Sequence, residues 1–114
     1  MERAIEAGLI RIINSVGGLA PKFVSPGMAG MPDRLVLLPG GRILFVECKD
    51  TGQKLRPLQR YRKQQLEELG FSVMLIDTKA QLEALRDAIC TAQGVRHDVE
   101  PYIEPTGGSV QWKM

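Results

Sequence analysis

Asp33, Glu47 and Lys49 lie near the middle of the chain, and their side chains suit phosphodiester chemistry. Asp33 follows Pro32 at the head of one apolar run, and Glu47-Cys48-Lys49 ends the next. Two carboxylates can share a divalent ion, and an ammonium beside them can stabilise charge that builds on a phosphate. In an extended chain the side chains alternate faces, so Glu47 and Lys49 point to one site while Cys48 points back into the protein. Hard cations such as Mg²⁺ or Mn²⁺ take one or two carboxylates plus water and phosphate oxygens. An acid pair of this kind therefore marks a catalytic centre, not a closed structural one.

An acid, a variable residue and a lysine also meet by chance at strand edges, where lysine serves to discourage aggregation. The surroundings argue against chance. A glycine-rich approach, Ser25-Pro26-Gly27-Met28-Ala29-Gly30-Met31, leads into Pro32-Asp33, and Gln59 stands just inside a following helix.

The elements that must position these groups are legible in the apolar pattern. Arg34-Leu35-Val36-Leu37-Leu38, a Pro39-Gly40-Gly41 turn and Arg42-Ile43-Leu44-Phe45-Val46 predict a hairpin, which returns Glu47 to the side of Asp33. Ile5, Leu9, Ile12, Ile13 and Val16 have the spacing of an amphipathic helix over 2–16, stopped by Gly17-Gly18. A short strand is expected around Lys22 to Ser25. Pro57 opens a helix whose apolar face is Leu58, Tyr61, Gln65, Leu66 and Leu69, and Gly70 ends it. Phe71 to Ile76 reads as a buried strand and Lys79 to Thr91 as a helix with Leu82, Leu85 and Ile89 inward. A strand, a helix and a strand from Glu47 to Ile76 imply a parallel crossover, hence an α/β fold with a mixed β-sheet flanked by helices.

The run Gly30-Met31-Pro32-Asp33-Arg34, the apolar hairpin, Phe45-Val46-Glu47-Cys48-Lys49 and then Gln59 resemble the signature of the VRR-NUC nucleases, a branch of the PD-(D/E)XK restriction-endonuclease-like superfamily. Lys22-Phe23 with Ser25-Pro26-Gly27 is similar to the loop of small stand-alone phage and bacterial members. The resemblance covers roughly residues 1 to 90. It departs at Cys48, where an aliphatic residue is more usual, and at Arg56, where a serine or threonine cap is expected before Pro57.

The resemblance implies a restriction-endonuclease-like core and a Mg²⁺- or Mn²⁺-dependent endonuclease. Asp33, Glu47 and the backbone carbonyl of Cys48 would hold the metal, with Lys49 and Gln59 catalytic. Family members also bring a glutamate from the first helix into the site, and here either Glu2 or Glu6 matches. Stand-alone members act as homodimers on branched DNA, including four-way (Holliday) junctions. A non-catalytic DNA-binding module on this fold would be expected to lose an acid or the lysine. A nuclease for plain duplex DNA in phage packaging or restriction is the other alternative.

Composition agrees with a small enzyme. The 114 residues are 44% hydrophobic and 25% charged, enough for one domain with one modest core. No membrane-length apolar stretch or leader pattern is seen, so a cytoplasmic protein of a bacterium or a phage-infected cell is expected. Two cysteines are too few for a zinc site and fit reduced thiols. The net charge of +2 says little, but Lys54, Arg56, Arg60, Arg62 and Lys63 cluster after the acid pair. Lys54, Arg56, Arg60 and Lys63 are the expected phosphate-backbone contacts on DNA. Residues 1–92 read as the nuclease domain and 93–114 as a tail, which is broken by prolines and glycines yet carries Val99, Tyr102, Ile103, Val110 and Trp112 to dock on the domain or a partner. His97, in that tail, is expected to be an ordinary surface histidine.

Overall fold

In the first helix, apolar residues recur every fourth position, and Ile5, Leu9 and Ile13 end up at most 5% exposed. This computed structural model describes residues 2–93, and the tail and His97 lie outside them. Helix α1 (Glu2–Ser15) comes first, then strands β1 (Arg34–Leu38) and β2 (Arg42–Cys48). Helix α2 (Pro57–Glu68), strand β3 (Ser72–Ile76) and helix α3 (Lys79–Gln93) complete the order. Each expected helix and each hairpin strand is present within a few residues.

The sheet order is β1-β2-β3, with β1 antiparallel and β3 parallel to the central strand. This is the mixed sheet that the strand-helix-strand order requires. Pleating divides β2 between two cores. Leu44, Val46 and Cys48 face α1 and α3 and pack with Leu9, Ile13, Ile76, Leu82, Leu85 and Ile89. Phe45 faces the other way with Val73 and Leu66 of α2. Edge-to-face contacts of Phe45 with Phe23 and Phe71, at centroid separations of 6.1 and 5.6 Å, extend that smaller core.

The strand expected around Lys22 to Ser25 does not form. Instead residues 19–23 run along the outer edge of β1 with single bridges at Leu19↔Leu37 and Lys22↔Arg34. Pro21 has no N–H to donate and only accepts, from Leu35 at 3.1 Å, so the ladder cannot continue. Gly18 lets the chain enter this edge, because a Cβ there would lie 2.5 Å from the Leu37 carbonyl oxygen.

The apolar face expected on α2 is corrected as well. Its buried residues are Gln59 and Leu66, whereas Leu58, Tyr61 and Leu69 are 44%, 54% and 73% exposed. The small second core has room for little more than Leu66, and the helix is rolled so that its polar Gln59 meets the sheet. Among the described residues, no helix is long and apolar enough to cross a membrane.

Candidate active site

The hairpin sets the acid pair. Arg34 is opposite Val46, so one step further along the same register places Asp33 across from Glu47, on one face of the sheet. The Asp33 backbone is held from the outer edge, its carbonyl accepting the Phe23 N–H at 2.8 Å. Its carboxylate Oδ1 accepts the Cys48 N–H at 3.3 Å, tying the acid to the end of β2.

Glu47 is only 6% exposed. Gln59 reaches it from α2, its Nε2 donating to Glu47 Oε1 at 2.8 Å. The other end of the same amide, Oε1, accepts the Arg56 N–H at 2.9 Å. That bond is the reciprocal half of a capping box, the N3 amide accepting from the N-cap N–H, and it fixes the start of the helix at Arg56-Pro57 where no serine or threonine stands. Gln59 therefore enters the site through Glu47, holding the carboxylate while it caps its own helix.

Lys49 prolongs the β2–β3 pairing, its N–H donating to the Ile76 carbonyl at 2.9 Å. Strand alternation keeps it on the face of Glu47. Cys48 points the opposite way and is fully buried among the core side chains of α1 and α3. Its thiol is pushed up to about 12, first by burial, then by the carboxylates of Asp33 and Glu6, against the opposing pull of Arg34 and with a further contribution from Glu47. It stays protonated at neutral pH, so only its backbone is available to a hard cation.

Glu6 lies on α1, on the other side of the sheet, where its Oε1 is 3.9 Å from Arg34 Nε. Arg34 Nη1 in turn donates to the Ala20 carbonyl at 3.1 Å. Glu6 is thus near the end of β2 but engaged with Arg34, whereas the side chain of Glu2 lies outside the described residues. Among the described residues, no three His, Cys, Asp or Glu side chains form a group able to hold a metal by themselves.

The expected DNA contacts divide. Lys54, Arg56 and Arg60 are exposed. Lys63 is half-buried, pairs with Glu67 at 3.0 Å, and lines a narrow cleft with Gly30, Pro32, Glu47 and Gln59. Sequence reasoning passed over two supports. Asp77, at the end of β3, accepts the Gly52 N–H on Oδ2 at 3.0 Å and the Thr51 hydroxyl on its carbonyl at 2.9 Å, which anchors the loop carrying Lys54. Arg62 donates through Nε to the Ala29 carbonyl at 2.9 Å and so clamps the glycine-rich approach onto α2. The aspartate directly after a buried strand was the visible signal for the first; nothing in the sequence pairs Arg62 with Ala29.

Gly30 makes that clamp possible. Its φ is +84°, and an added Cβ would lie 2.9 Å from the Leu58 carbonyl oxygen and 2.7 Å from the Leu58 side chain. The segment ahead of Asp33 can therefore lie directly on α2.

No family model matches the chain. A phage protein described as "Putative nuclease p44", from Acyrthosiphon pisum secondary endosymbiont phage 1, is 47% identical over 78 residues, which cover 68% of this chain and 84% of that protein. A solved structure described as a VRR_NUC domain superposes with a TM-score of 0.71 at 31% identity, over 75% of this chain and 94% of that one. A shared fold at that identity and near-complete coverage, with the acid pair, lysine and glutamine set on one hairpin and one helix, leads to a plain conclusion: the chain belongs to the VRR-NUC family.

Proposed function

We propose that the protein is a metal-dependent DNA endonuclease that acts as a homodimer on branched DNA such as four-way junctions. The observation that carries the nuclease reading is a nearly buried glutamate, Glu47, facing Asp33 on the neighbouring strand and held by Gln59. The names of the phage relative and of the solved domain support the same activity.

The donor set fits a hard divalent cation. Asp33, Glu47 and the Cys48 carbonyl offer oxygen alone, and the protonated Cys48 thiol is turned away into the core. Few protein ligands suffice, because Mg²⁺ and Mn²⁺ sites of this kind keep several positions for water and phosphate. When bound, the ion supplies Lewis-acid polarisation of the phosphate and makes a nearby water more acidic.

The chain's own residues do the rest. Asp33 and Glu47 would hold the ion against which the scissile phosphate is set, and Gln59 keeps Glu47 from rotating away. Lys49 presents its ammonium to the phosphate as water adds to phosphorus and the bond to the leaving oxygen breaks, stabilising the charge that develops. Lys54, Arg56 and Arg60, with Lys63 at the cleft, hold the backbone on either side without reading bases. A two-fold dimer presents two equivalent centres, which suits paired cuts on a symmetric junction.

The test is incubation of the purified chain with labelled duplex, single-stranded, flap and four-way-junction DNA, with and without Mg²⁺ or Mn²⁺. Metal-dependent cuts confined to branched substrates are expected. Equal cutting of uninterrupted duplex removes the branch preference, and undiminished cutting in excess EDTA removes the metal.

A further inference from the structure

The chain turns sharply one residue after Lys49. The register pairs Cys48 with Ile76, so one step further sets Lys49 beside Asp77, and the Lys49 N–H donates to the Ile76 carbonyl at 2.9 Å. Asp50-Thr51-Gly52-Gln53 then forms a β-turn, closed by the Gln53 N–H donating to the Asp50 carbonyl at 2.9 Å. Gly52 has a φ of +83°, as the third residue of a type II turn requires. Gln53 Oε1 also accepts the Asp50 N–H at 3.1 Å.

Both central residues of this turn are tied to half-buried Asp77. Its Oδ2 accepts the Gly52 N–H at 3.0 Å and its carbonyl accepts the Thr51 hydroxyl at 2.9 Å. Asp77 is itself fixed from α3, because its N–H donates to Gln81 Oε1 at 2.7 Å. The same oxygen accepts the Thr78 N–H at 3.2 Å, and the Gln81 N–H donates to Thr78 Oγ1 at 3.2 Å, a capping box that opens α3. A line of hydrogen bonds thus runs from the first turn of α3 through Asp77 to the turn that follows Lys49.

We propose that Asp77 is a positioning residue for Lys49: by holding the Thr51-Gly52 turn it fixes the end of β2 and so the point from which the ammonium reaches the phosphate. This rests on the nuclease reading above and deepens it. A strand end frays unless something beyond it is anchored, and a charged group that acts on a transition state loses effect when its base shifts. Lys54, on the far side of the turn, depends less on Asp77, since the chain just after it is fixed separately by the bond from Arg56 to Gln59. Loss of the Asp77 bonds therefore falls on turnover, not on affinity for DNA.

The experiment measures single-turnover cutting of a labelled four-way junction and a labelled duplex by the full chain with Mg²⁺, and binding of the same DNA by fluorescence anisotropy in EDTA. Asp77→Ala is expected to cut about tenfold or more slowly and to bind as wild type, whereas Asp77→Asn, which keeps an oxygen for the Gly52 N–H, cuts as wild type. In a Lys49→Ala background, adding Asp77→Ala is expected to cause no further loss, because the group being positioned is already gone. Undiminished cutting by Asp77→Ala, equal slowing by Asp77→Asn, or a further tenfold loss in the Lys49→Ala background overturns the proposal. So does weakened binding with an undiminished rate, which would make the turn a support for Lys54. Thermal melts check folding; if Asp77→Ala does not fold, Thr51→Val, which deletes the other bond to Asp77, is expected to slow cutting with binding intact, and wild-type cutting by it overturns the proposal. Wild type that cuts while these variants cut as fast removes this role of Asp77 alone; wild type that cuts neither DNA removes the nuclease reading with it.

Discussion

Glu47 is a carboxyl group at a depth where most such side chains are excluded, and a buried polar group persists there only with hydrogen-bond partners. Gln59 is one, and its amide has a second duty at Arg56. Gln59→Ala is therefore expected to cost about 1–3 kcal/mol of stability, because a buried carboxylate and a helix N–H both lose a bond, and urea unfolding measures it. Replacing the acids acts differently. Asp33→Ala and Glu47→Ala each remove a proposed metal ligand and a negative charge beside the phosphate, so cleavage is abolished while DNA binding survives in gel shifts; Glu47→Ala also leaves the buried Gln59 amide without its acceptor, so its melting temperature falls. Wild-type cutting by either variant refutes the proposed chemistry. Lys49 and Cys48 are adjacent but on opposite faces, and their substitutions separate accordingly. Lys49→Ala lowers turnover by about 10²-fold or more with little effect on affinity, whereas Cys48→Val fills the same core space and cuts as wild type. Equal inactivity of the two variants means that the faces are misassigned.

The elements show what a sequence discloses and what it withholds. Periodicity located α1, the hairpin, β3 and α3, because each buries a continuous apolar stripe or run that has no other use. It misread α2, whose apolar residues Leu58, Tyr61 and Leu69 remain outside while Gln59 turns in. A hydrogen bond between residues far apart in the chain leaves no trace in helical spacing, and here the Gln59–Glu47 bond outweighs the leucines in setting the roll of the helix. The edge at residues 19–23 was shifted for a related reason: Pro21 interrupts donors that hydropathy does not register. In the site itself, the approach of Asp33 to the end of β2 and the inward turn of Cys48 were legible because hairpin register and strand alternation convert spacing directly into position. The supports at Asp77 and Arg62 were not, since they depend on how loops return to the sheet. Two glycines of one loop test the clamp on α2. Gly30→Ala meets the Leu58 backbone at a positive φ and is expected to cost about 1–3 kcal/mol and to impair cleavage, because the segment carrying Asp33 is pushed off the helix. A Cβ at Gly27 has nothing within 4 Å, and Gly27→Ala retains both melting temperature and cutting.

At the scale of the whole molecule, one chain presents one acid pair at one end of its sheet, and a symmetric four-way junction needs two cuts. Two copies related by a two-fold axis supply them with a single kind of centre. Among the described residues, the exposed apolar side chains on α2, Leu58 and Tyr61, are joined by scattered ones such as Leu19, Val24, Ile43 and Phe71, and the residues beyond Gln93 add Val99, Tyr102, Ile103, Val110 and Trp112, which lie outside the described structure. Stable association of small proteins buries on the order of 1,200–2,000 Å² in total, more than an α2 stripe of a few side chains provides, so the tail is expected to contribute to the interface. Light scattering on the full chain, and on a chain ending at Gln93 whose folding is checked by circular dichroism, decides this. The full chain is expected to be a dimer and the shortened chain a monomer. A monomeric full chain removes the dimer altogether, and a dimer that survives shortening moves its interface to the globular body. Hydrolysis is separable from pairing, because Asp33, Glu47, Lys49 and Gln59 come from one chain. The shortened monomer is therefore expected to keep its metal-dependent nicking rate per site while coordinated cuts on a four-way junction give way to single nicks.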